Sequence, residues 1–116
     1  MYKAKDRLVL DYLNDILESI SNIREFVVGM NYENFLRDKK TSLAVIRSLE
    51  IIGEAVKNIP ESLRENYKEM PWQEIIGMRN KITHEYFGVD LDIVWQSIQE
   101  DLDSLENAVK KILTTM

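Results

Sequence analysis

The spacing of the apolar residues is what most constrains this chain: they recur three and four positions apart over almost its whole length. Only four glycines and two prolines punctuate 116 residues. Segments of that length at a helical period, with no alternation at every second residue, predict an all-α fold. From about Lys5 to Val28 the positions Leu8, Tyr12, Leu13, Ile16, Leu17, Ile20, Ile23 and Val27 trace one side of a helix, which Gly29 is suited to end. Asn31 to Asp38 reads as a link that carries Tyr32 and Phe35. Leu43, Ile46, Leu49, Ile52, Ala55, Val56 and Ile59 predict a second helix, stopped by Pro60.

Pro60-Glu61-Ser62-Leu63 suits the first turn of a short helix, because proline there loses no needed donor and glutamate favours the positive end of the dipole. Pro71-Trp72-Gln73-Glu74 repeats the signal for a helix running to about Phe87, with Gly88 closing it. Asp90 reads as the N-cap of a last helix whose seam is Leu91, Val94, Trp95, Ile98, Leu102, Leu105, Val109 and Ile112. Helices of this number and length, with short connections, predict one domain over residues 1–116. The expected architecture is an antiparallel four-helix bundle with an additional short helix.

Composition removes several function classes. Without cysteine there is no disulfide, thiolate metal site or cysteine nucleophile, and a single histidine leaves no paired-histidine metal site within a chain. No metal and no cofactor is therefore expected. No apolar run approaches the ~20 residues that span a bilayer, and the start of the chain is charged and interrupted, unlike a signal peptide. The expectation is a cytoplasmic protein with no membrane partner. Fifteen Lys plus Arg against twenty Asp plus Glu give a net charge of −5, the wrong sign for holding nucleic acid by bulk charge. Any contact with nucleic acid has to be local.

One stretch, Gly77 to Gly88, gathers Arg79, Asn80, the only histidine, His84, and Tyr86. On an ideal helix at ~100° per residue, Asn80 and His84 stand ~40° apart, while Arg79 lies about 140° round from His84. Either the helix is distorted near Gly77, or a second copy completes the site; a two-fold dimer would bring two Arg and two His into one cleft. Each residue also has an ordinary structural explanation. A lone histidine is commonly a surface or satisfied core residue, Arg79 can pair with Glu74 or Glu85, and Tyr86-Phe87 can fill the core at a helix end. Asp38 can cap the second helix or face a cleft, and Glu54 can be a surface acid or position Arg79. Arg37 to Lys40, with Arg47, Lys57 and Lys81, read either as a phosphate-tracking surface or as a solvated face. Gly53, inside a helical pattern, points to close approach of another helix.

The chain resembles the HepT-like family of the HEPN superfamily across nearly its whole length. The resemblance is carried by Tyr32, Phe35-Leu36-Arg37-Asp38, Leu49 to Ala55, Pro71-Trp72, Ile75 to Asn80, His84 to Asp90 and Trp95, in that order and spacing. It implies a dimeric helical bundle acting as a metal-independent endoribonuclease, the toxin of a type VII-like toxin–antitoxin module. The family's catalytic pair falls on Arg79 and His84, with Asn80 as the supporting polar residue. The implied partner is an MntA-like nucleotidyltransferase antitoxin that transfers AMP to a tyrosine two residues after the histidine, here Tyr86. The last helix reads Glu100-Asp101-Leu102-Asp103 where the family often has proline, which bears on bundle shape.

The residue types fit that chemistry. RNA carries its own nucleophile, the 2′-hydroxyl, so cleavage needs a proton-moving group, which histidine supplies, and a cation for the phosphorane charge, which arginine supplies. The expected product is a 2′,3′-cyclic phosphate. Two other readings use the same residues: a non-catalytic helical module that holds nucleotide for a nucleotidyltransferase, and a purely structural homodimeric bundle.

Overall fold

The computed structural model describes residues 4–68, 70–77 and 90–116, with side chains from Leu8 onward. Every regular element among them is helical: α1 (Ala4–Phe26), α2 (Tyr32–Arg37), α3 (Lys39–Asn58), α4 (Glu61–Glu65), α5 (residues 72–77), α6 (Leu91–Glu100) and α7 (Leu102–Thr115). The all-α expectation holds. Residues 78–89, where the expected helix through Phe87 and its stop at Gly88 would fall, lie outside the described residues.

The core follows the helical period. In α1, Leu13, Ile16, Ile20 and Ile23 are all at 0% exposure, and they meet Val45, Ile52 and Val56 of α3 and Val109 and Ile112 of α7 in one cluster. Each such side chain contributes about 1.5–3 kcal/mol by leaving water. α1 packs along α3 and α7, while α2 packs on α3 and α6. Chain termini of the elements are set locally. Gly29 takes φ +76°, the left-handed conformation that L side chains disfavour, just after α1 ends.

Several features depart from the periodicity reading. Leu8 and Leu43, expected in the apolar stripes, are 55% and 48% exposed. Ser42 and Ser48 are buried on α3 instead, which they tolerate because their hydroxyls donate to the carbonyls of Lys39 (3.1 Å) and Ala44 (3.0 Å) one turn back. The link from Asn31 to Asp38 is itself a helix. A reciprocal capping box starts it: the Asn34 amide donates to the Asn31 side chain (2.8 Å), and the Asn31 amide donates to that of Asn34 (3.2 Å).

The last helix is not continuous. Asp101 separates α6 from α7 at φ −102°, ψ −20°, although its amide still donates to Ser97 (2.9 Å) and its carbonyl still accepts from Leu105 (3.0 Å). The break therefore falls at a single residue, without proline. Pro60 also sits one place earlier than expected, at the N-cap of α4 instead of inside its first turn.

Candidate functional site

Of the six residues singled out from the sequence, Arg79, Asn80, His84 and Tyr86 lie outside the described residues, whereas Asp38 and Glu54 lie on α3 or its cap. The segment that enters the Gly77–Gly88 stretch is firmly held. Trp72 is 6% exposed, and its indole N–H donates to the carbonyls of Tyr67 (3.0 Å) and Arg64 (3.1 Å). Met70 is buried beside it, and the Ile75 amide donates to Pro71 (3.1 Å) as α5 begins. The Pro-Trp signal thus marks a helix start pinned by a buried aromatic whose polar edge is satisfied.

Asp38 is the N-cap of α3. Its carboxylate accepts from the Thr41 amide at 3.0 Å, and this bond, with the nearby Lys40 charge, holds its pKa below the ordinary carboxylate value. Glu54 is exposed on the far part of the same helix. Sixteen residues at ~1.5 Å rise separate the two by about 24 Å along the axis, so they do not share one small cleft.

Glu54 does face a cleft. Tyr12 and Asp15 of α1 and Arg47, Glu50, Ile51, Glu54 and Ala55 of α3 line a cavity of about 300 Å³ between the two helices. Arg47 stands 3.9 Å from Glu50 across its edge. Sequence reading placed none of Tyr12 or Asp15 near Glu54, because the contact joins residues more than thirty positions apart through helix packing.

A second cavity, about 140 Å³, lies between α3, α5 and the α6–α7 junction, lined by Leu49, Ile52, Glu74, Ile75, Ser97, Asp101, Leu102 and Leu105. Partial burial, then Glu100 and Glu74, push the Asp101 carboxyl above the ordinary range. The acids of this region do not share one environment. Asp101 turns toward a mostly apolar pocket, while Asp103 and Glu106 both accept from the guanidinium of Arg24 on α1. Among the described residues, no group of three or more His, Asp or Glu is placed to hold a metal ion. None of the described helices is long and apolar enough to cross a membrane.

The chain has extensive likeness to known proteins. A protein of Thermococcus cleftensis named "Probable ribonuclease HepT" is 50% identical over 102 residues, covering 88% of this chain and 93% of that protein. One from Caldanaerobacter subterraneus subsp. tengcongensis, named "Putative RNase", is 48% identical over 102 residues, covering 88% of this chain and 91% of the relative. A "Putative RNase" of Methanocaldococcus jannaschii is 43% identical over 105 residues, covering 87% of each. No solved structure matches. Residues 16–112 match the ribonuclease HepT-like family, a span that runs from the middle of α1 nearly to the end of α7. With a core, caps and helix order that extend over this same span, the chain belongs to the ribonuclease HepT-like family.

Proposed function

We propose that this protein is a metal-independent endoribonuclease that cleaves RNA by attack of the substrate's own 2′-hydroxyl. The observation that carries the reading is the family match over residues 16–112, which contains Arg79, Asn80, His84 and Tyr86 in uninterrupted sequence. His84 acts as general acid and base, roles to which the imidazole side chain is suited near neutral pH. Arg79 holds the phosphate and the charge that develops on the phosphorane, where a planar fork of donors is worth most. Asn80 orients His84 or contacts phosphate. The products are a 2′,3′-cyclic phosphate and a 5′-hydroxyl.

Arg79 and His84 do not converge on one ideal helix, so the working unit is a two-fold homodimer of HEPN-type four-helix bundles, with the two clusters meeting in a shared cleft. Glu54 is a candidate for that cleft, whereas Asp38 is engaged in capping α3. The protein is the toxin of a toxin–antitoxin module in the cytoplasm. Its antitoxin is an MntA-like nucleotidyltransferase that adenylylates Tyr86, and the added phosphodiester occupies the substrate phosphate position by charge and bulk.

The test is cleavage of a defined RNA pool in EDTA by protein whose intact mass shows no attached AMP, beside His84→Ala prepared identically. Cutting by wild type alone, with cyclic-phosphate ends, is the expected result. A product with a 3′-hydroxyl and a 5′-phosphate, or equal cutting by both proteins, overturns the mechanism. Tyr86→Phe should escape neutralisation by the catalytically active antitoxin; full neutralisation of that variant overturns the modification route.

A further inference from the structure

We propose that Arg37, Lys39 and Lys40, at the corner between α2 and α3, form a phosphate-contacting surface that holds substrate RNA. The inference rests on the ribonuclease reading above and specifies where an acidic protein grips its polyanionic substrate. With a net charge of −5, the chain can attract RNA only where positive charge is locally in excess.

Among the described residues several cations make no ion pair, Lys57, Lys68 and Lys111 included, but at only one place do three of them stand within four positions of one another. Arg24, Arg47 and Lys110 each have a carboxylate within 4.0 Å. Arg37, Lys39 and Lys40 are all exposed, and none of them makes an ion pair with the described residues. The single acid among them, Asp38, directs its carboxylate to the Thr41 amide. Three cations thus stand against one carboxylate that is already committed to a helix end.

The corner is also fixed in place. Asp38 alone separates α2 from α3, so all three cations sit on helical backbone. Phe35, at 0% exposure, anchors α2 with its ring centroid 5.2 Å from that of Trp95 on α6. A fork of guanidinium donors and two ammonium groups on a rigid corner suit successive phosphates and read no base.

The test compares Arg37→Gln/Lys39→Gln/Lys40→Gln with a variant of identical net charge, Lys68→Gln/Lys110→Gln/Lys111→Gln, whose positions are exposed elsewhere on the molecule. Full-length proteins with matching far-ultraviolet circular dichroism are titrated against a fluorescent 2′-O-methyl single strand, which cannot be cut by 2′-hydroxyl attack, at several salt concentrations. Loss of three phosphate contacts should weaken binding roughly 10- to 100-fold and flatten the salt dependence by about 2, at ~0.7 per contact for single strands. The charge-matched control should stay close to wild type. On cleavable RNA, KM should rise with kcat retained. Equal losses in both variants, or a corner variant that binds like wild type, overturn the surface and leave the corner to an acidic protein or to solvent. A wild type that cuts RNA while the corner variant is unaffected removes this proposal alone; a wild type that neither binds nor cuts removes the ribonuclease reading and this one with it.

Discussion

Two junctions in this molecule are built around one aspartate each, and they behave in opposite ways. Asp38 joins α2 to α3 and Asp101 joins α6 to α7. Asp38 stands among Arg37, Lys39 and Lys40 and caps the following helix, so its carboxylate is favoured in the charged form. Asp101 stands beside Glu100 and near Glu74, makes no side-chain cap and is partly withdrawn from water, so its charged form is disfavoured. The residue type does not decide the outcome. A donor aimed at the carboxylate and the sign of its neighbours do.

The largest effect expected on this pair comes from removing what steadies the first junction. Phe35→Ala should cost about 3–5 kcal/mol in chemical denaturation, because a fully buried ring against Trp95 is replaced by a void. Next, Asp38→Ala should lower Tm by a few degrees at neutral pH through loss of the cap, with Asp38→Asn or Asp38→Ser retaining most of it. Its pH dependence has a definite sign. The folded pKa of Asp38 lies below the unfolded value of ~3.9, so the cap contributes fully above that value and is lost as pH falls through the folded pKa. The difference between Asp38→Ala and wild type should therefore shrink in acid.

Asp101→Asn should do the reverse, raising Tm slightly at neutral pH. The folded pKa of Asp101 lies above the unfolded one, so its penalty grows as pH rises from ~3.9 through the folded value and persists beyond it. A Tm gain that survived unchanged below about pH 3, where the wild-type carboxyl is already protonated, would show that charge is not its cause. The smallest effect is expected at Arg24→Gln. This arginine bridges α1 to Asp103 and Glu106 but is 40% exposed, so its loss should cost under about 1 kcal/mol and less at high salt. A larger or salt-independent loss would make it an organiser of the α1–α7 contact.

What could be read from the sequence divides by distance along the chain. The cap at Asp90 and the stop at Gly29 depend on residues two to four positions away and are found as read, and Asp38, which the sequence left between a cap and a cleft, caps its helix. The link that became α2 was missed although its signal, Asn31 with Asn34, was present in the sequence. Leu43 was misplaced for a different reason: hydroxyls bonded to their own helix let Ser42 and Ser48 take the inner face, and apolar periodicity does not register serine. Of the candidate site, the cap was one of two readings open for Asp38, while the cleft that Glu54 shares with Tyr12 and Asp15 was not legible.

The sequence by itself determined that this chain is helical, about where α1 and α3 begin and end, and which family it belongs to, since helical hydrogen bonds, caps and motif spacing are all local. Only the tertiary structure decided that α6 and α7 turn at Asp101, that Arg24 spans 79 and 82 positions to its two acids, and which cations among the described residues pair with a carboxylate. Those outcomes depend on how whole helices pack, and packing pairs residues whose separation along the chain carries no periodic signal.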